Sequence, residues 1–185
     1  MNIRFLPGLA AALVATSAQA AVSVIGPGPA QICYQAADIG GSPADYLTYC
    51  DQALAGTLTD ADRAATLVNR GVLKLGENDY DSAAADFHAG LAIDADLGEA
   101  YIDLGAVQIA HKQYAAALLD IDKGMKLGSK KLQLAYYDRA MANEGVGNLL
   151  AAYDDYRQAL RIAPDFTRAS DELKRFKVVG KPDGI

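Results

Sequence analysis

The side chains able to do chemistry are few. His88 and His111 are the only histidines, and Cys33 and Cys50 the only cysteines, in 185 residues. A zinc site needs three or four such ligands, and neither histidine has a cysteine or glutamate at ligand spacing. Asp79, Asp81 and Asp86 lack the spacing of a calcium loop and read as a helix cap and a solvated face. No Gly-rich phosphate cradle, dinucleotide fingerprint or G-x-S-x-G string occurs. The cysteines form neither C-x-x-C nor a haem-attachment motif. These observations predict a chain that is not an enzyme and that binds no metal and no cofactor.

The chemistry left to the two cysteines is a disulfide, which needs an oxidising compartment. Arg4 precedes a run from Phe5 to Ala15 that is apolar except for Pro7 and Gly8, and Ala18-Gln19-Ala20 has the small-x-small form of a cleavage site. The expectation is a signal peptide over residues 1–20, export to the periplasm, with secretion as the alternative, and a structural disulfide between Cys33 and Cys50. The apolar run is shorter than the roughly 20 residues that span a bilayer, so no membrane insertion is expected after signal removal. Formal net charge is −6, and loss of Arg4 with the leader makes it one unit more negative. Nucleic acid and anionic lipid are bound through basic clusters. Lys130-Lys131 and Lys174-Arg175 are the nearest approach to one here, so neither partner is expected.

The positioning elements show in an internal repeat of 34 to 35 residues. Gly71, Gly105 and Ala140 form one equivalent set. Ala83, Ala117 and Ala152 follow in register, then Phe87, Ile121 and Tyr156, then Gly90, Gly124 and Ala159, and finally Ile93, Leu127 and Ile162. Each unit reads as two helices of about a dozen residues, the first ending near Gly76, Ala110 or Gly145, where glycine suits a left-handed cap. Asn78-Asp79 and Asn148 supply N-caps for the second helix. Small residues mark where the helices cross. Such a pair cannot bury its own apolar face, so at least three must stack.

Spacing and residue types together resemble the tetratricopeptide repeat family. Unit one, residues 64–97, carries Gly71, Ala83, Phe87 and Gly90. Unit two, 98–131, carries Tyr101, Leu104, Gly105, Tyr114, Ala117 and Gly124. Unit three, 133–166, carries Tyr136, Ala140, Ala152, Tyr156, Ala159 and Pro164. The departures are Ala95 and Ser129 at the family's terminal proline, and Arg70 and Arg139 at its leucine. The resemblance covers about 100 of the 185 residues and implies an all-α, right-handed solenoid. Residues 21–62 are expected to form a linker and a degenerate hairpin, with helices from about Gln31 to Ile39 and from Ala44 to Leu54. The family register sets Cys33 opposite Cys50 across that hairpin. Residues 167–178 are expected to form a capping helix and 179–185 a flexible tail.

In this family the first helices line the concave face. The resemblance therefore implies an inward stripe of Ala65, Val68, Val72 and Leu75, then Glu99, Ile102, Ala106 and Ile109, then Leu134, Tyr137, Met141 and Glu144. Asn69, Asp103 and Asp138 lie beside it. Some family members grip a carboxylate terminus with lysines, asparagines and an arginine. Here Asn69 alone matches, while Asp103 and Asp138 carry the opposite charge, so that specificity does not transfer. The expected role is a protein–protein interaction scaffold of a bacterial envelope, holding an apolar or basic segment in its groove. Two alternatives stay open: Val68, Ile102 and Tyr137 serve as inter-helix packing while the acids solvate the surface, and the chain is a structural subunit that uses its convex face or edges.

Overall fold

The computed structural model describes residues 28–39 and 43–176, and among these the regular elements are nine α-helices. They are α1 (Pro29–Ile39), α2 (Pro43–Ala55), α3 (Asp60–Gly76), α4 (Tyr80–Ile93), α5 (Gly98–Ala110), α6 (Tyr114–Lys126), α7 (Leu132–Gly145), α8 (Leu149–Ile162) and α9 (Thr167–Leu173). Consecutive helices pair as antiparallel hairpins, and α1, α3, α5 and α7 stack as one layer. The signal peptide and tail expected from the sequence lie outside the described residues. So do the Gly40-Gly41-Ser42 turn and Val178, the end expected for the capping helix. That helix instead stops at Leu173, and Phe176 folds back in the following turn onto the Tyr153 and Tyr156 rings.

The turn inside each repeat is the same, but its left-handed residue is not the glycine expected from the sequence. Asn78, Lys112 and Gly147 take positive φ. Each is followed by an N–H that reaches back five residues: Asp79 to Lys74, Gln113 to Gln108 and Asn148 to Asn143. This closes the α3, α5 and α7 carbonyl ends in a Schellman turn. Asp79 and Asn148 then cap α4 and α8 through their side chains, as the sequence predicts. Gly145 has a different task. It lies inside α7, and a Cβ there would come within 2.2 Å of the Tyr114 ring.

The small residues stand where the helices cross. A Cβ on Gly105 would meet Ile121 Cγ1 at 2.4 Å, and one on Gly124 would meet the Gly98 carbonyl oxygen at 2.5 Å. Phe87, Ile121 and Tyr156 are fully buried against these crossings. At the amino end, Cys33 and Cys50 form the disulfide expected between α1 and α2, with both residues wholly buried beside Leu73 of α3.

Arg70 and Arg139, where the family resemblance leads one to expect leucine, are explained by a charged rung. Arg139 donates to both Asp155 oxygens, at 2.9 and 2.7 Å, and to Asp122 of the preceding unit at 2.8 Å. Arg70 does the same with Asp86, at 2.8 and 2.6 Å, and with Asp51 of α2 at 2.7 Å. Asp51 and Asp122 hold the same place in their units, so the rung carries the repeat register back into the amino-terminal hairpin. Burial pushes the Asp86 carboxyl up, but hydrogen bonds from Arg70 and Lys74 outweigh it and hold the group below the usual carboxylate range. The middle unit keeps leucine: Leu104 is buried, and Asp120 is met by the Gln108 amide at 2.7 Å.

Candidate functional site

The repeat register arranges the exposed faces of α3, α5 and α7 into cross-rows. One row is polar: Asn69, Asp103, Asp138. The next, three residues on, is apolar: Val72, Ala106, Met141. All six are half-buried, which suits a surface that is solvated yet enclosed by its neighbours. Glu99 and Leu134 stand one turn before the polar row and are half-buried too. Glu99 accepts the Lys130 backbone N–H at 3.1 Å, which ties α5 to the loop before α7.

Three of the predicted residues are buried in the layer beneath. Val68 lies in the cluster with Ala83 and Phe87. Ile102 packs beside Ala117 and Ile121. Tyr137 is wedged between the rings of Tyr156, 5.6 Å away, and Phe166, 5.3 Å away. These side chains support the groove floor through inter-helix packing. Glu144, at the end of the predicted stripe, accepts hydrogen bonds from Tyr156 Oη at 2.6 Å and from Arg175 at 2.8 Å.

Asp103 and Asp138 stand apart from every other enclosed carboxylate. Asp86, Asp120, Asp155 and Glu144 each accept a hydrogen bond from a neighbouring side chain. Among the described residues, Asp103 and Asp138 accept none and form no ion pair. Burial pushes Asp103 up to about 7; Lys131 opposes that rise and Glu99 adds to it. Burial likewise pushes Asp138 up to about 7, with Asp103 adding and Arg168 opposing. Since both side chains keep some solvent exposure, this is the desolvation of a concave floor and not of a sealed core.

The two cations within reach are turned elsewhere. Lys131 Nζ pairs with Asp38 of α1 at 3.1 Å. The Arg168 guanidinium lies over the Tyr137 and Phe166 rings, at 5.3 and 5.0 Å. Asp38, Lys131 and Arg168 thus frame the site, and sequence reasoning missed all three. They fall outside the helical stripe, and no periodicity marks them. A separate open hollow of about 440 Å³, lined by Tyr153, Arg157, Leu160, Arg161, Leu173 and Phe176, contains none of the predicted residues.

Helix pairs in a curved stack, with a common turn and small residues at each crossing, decide the architecture. The fold is that of a tetratricopeptide repeat array. MamA (residues 41 to the end) from Desulfovibrio magneticus RS-1 is similar over 80% of this chain and 82% of its own, with TM-score 0.60 and 21% identity. The first TPR of Spaghetti (RPAP3), bound to the HSP90 peptide SRMEEVD, matches 63% of this chain and 94% of its own, with TM-score 0.58 and 23% identity. The second TPR domain of human RPAP3, in complex with the HSP70 peptide SGPTIEEVD, matches 63% and 97%, with TM-score 0.56 and 21% identity. No family model and no curated protein matches the sequence.

Proposed function

We propose that this chain is a protein-interaction scaffold of the bacterial cell envelope, which takes up an apolar or basic segment of a partner protein along α3, α5 and α7. The observation that carries the reading is the pair of cross-rows, half-exposed and ending in two carboxylates that have no partner among the described residues. A surface whose acids were there only for solubility would leave them in open water, at no desolvation cost. The RPAP3 domains, similar in fold, are complexed with acidic peptides, whereas the charge of this groove favours the opposite kind of segment. Envelope location is supported by the apolar leader read from residues 1–20 and by the buried Cys33–Cys50 disulfide, a bond of oxidising compartments.

A second reading has its own observation. Leu119 and Leu150, on the outer helices α6 and α8, are 75% and 74% exposed, and apolar residues left that open suit docking of the outer face into a larger assembly. Photo-cross-linking in intact cells separates the two. A benzophenone amino acid at Ala106 reports the groove, and one at Leu150 reports the outer face. Partner adducts at Ala106 support the groove; adducts only at Leu150 reverse the assignment.

A further inference from the structure

Resting on the groove reading above, we infer that Asp103 and Asp138 together receive the ammonium or guanidinium head of one lysine or arginine in the bound segment. Its apolar neighbours in that segment lie along Val72, Ala106 and Met141. The argument is one of charge complementarity at a defined place. The two aspartates hold equivalent positions on adjacent helices, one turn before the apolar row, so a basic side chain entering between α5 and α7 meets both at once. Neither has a partner among the described residues, although two cations stand near enough to influence them. Lys131 is held by Asp38 of α1, and Arg168 by two aromatic rings. The fold therefore confines two carboxylates and directs its own cations away from them. An entering ammonium would make charge-assisted hydrogen bonds to carboxylates that no side chain among the described residues meets.

The same site carries a pH response. The charged groups facing the pair are Glu99 and Lys131 around Asp103 and Arg168 beside Asp138, and the Asp103 carboxylate adds to the cost of ionising Asp138. Their carboxyls, pushed up to about 7, are charged at pH 8 and largely neutral at pH 5.5. Because the basic head binds the charged form, affinity falls as pH falls.

The test is selection of random dodecapeptides displayed on phage against the purified chain at pH 8, with Asp103→Asn, Asp138→Asn as the second bait. The expected pool has one lysine or arginine flanked by apolar residues, and the double variant does not enrich that basic position. The most enriched peptide, synthesised with a dye, is then measured by fluorescence anisotropy. Norleucine in place of the basic residue should weaken binding about tenfold or more. Lowering the pH from 8 to 5.5 should weaken the parent peptide by at least about tenfold, and the double variant should respond to neither change. Enrichment of apolar peptides without a basic residue overturns the pairing and leaves the groove standing. Basic peptides that bind the double variant equally well overturn the assignment to these two residues. No enrichment over the blank overturns the groove reading itself. Matching far-ultraviolet circular dichroism spectra of wild type and variant, each with a cooperative melt, show that the fold is intact.

Discussion

Replacing Arg139 by leucine removes three hydrogen bonds, two to Asp155 and one to Asp122. Asp122 has a half-open side chain, 46% exposed, and returns to water at little cost. Asp155 is 7% exposed and keeps a single amide, Asn143 at 3.1 Å. Removing one partner of a buried pair costs about 3–5 kcal/mol. Since the Arg139 side chain is 27% exposed, solvent screens the pair, and the expected loss is about 2–3 kcal/mol. Arg70→Leu deletes the matching bonds in the first unit, yet Asp86 retains the Lys74 ammonium at 2.7 Å, so there the expected loss is only about 1 kcal/mol. Changing Asp155 to leucine as well should restore part of what Arg139→Leu loses, because two apolar groups can replace a buried pair at little cost, while the buried Asn143 amide loses its acceptor. The middle unit already packs Leu104 at the arginine position. The assay is urea unfolding followed by far-ultraviolet circular dichroism with the disulfide intact and the slope checked for constancy. Equal losses for Arg70→Leu and Arg139→Leu, or a double variant no more stable than Arg139→Leu alone, would refute the reasoning.

Two further perturbations probe the amino-terminal staple and the groove. Thiol titration of unreduced protein should find no free thiol, and Cys33→Ser, Cys50→Ser should lower stability by about 3 kcal/mol, the chain-entropy value for a loop of this size; two titratable thiols would contradict the bond. Asp103 and Asp138 have folded values near 7 against an ordinary 3.8, so the folded chain holds protons that the unfolded chain releases. Their contribution is fully present below about pH 4 and is lost as pH rises through 7. Asp103→Asn, Asp138→Asn should therefore melt roughly 2–4 °C above wild type at pH 8 and level with it near pH 4, as read by calorimetry. A variant melting at or below wild type at pH 8 would show that the carboxylates are not enclosed.

Much of the architecture is legible in the chain because helix crossings impose it residue by residue. Only a small side chain fits where Gly124 meets the Gly98 carbonyl, and that demand recurs once per unit, which makes the period visible. The N-caps at Asp79 and Asn148 are equally local, since a side-chain acceptor must precede a helix by a fixed offset. The left-handed turn position is less legible. Asn78 and Gly147 are natural occupants, but Lys112 is not, and it takes the same conformation because the Schellman bonds on either side fix the backbone. Arg70 and Arg139 stand out in the sequence as departures from leucine. Their meaning needs Asp51 and Asp122, which belong to the neighbouring unit and come into reach only when the units stack.

The acidic rung shows where that division falls. Sequence by itself determined that Asp103 and Asp138 occupy matching places on adjacent inner helices, because the repeat period and the helical period are both local properties of the chain. Only the tertiary structure decided that they are left without partners among the described residues. That outcome depends on where Lys131 and Arg168 point, one to Asp38 at the far end of the stack and the other to aromatic rings at the carboxyl end. Charge is written in the sequence, but whether a charge is compensated depends on distance, and distances between units exist only once the superhelix has closed.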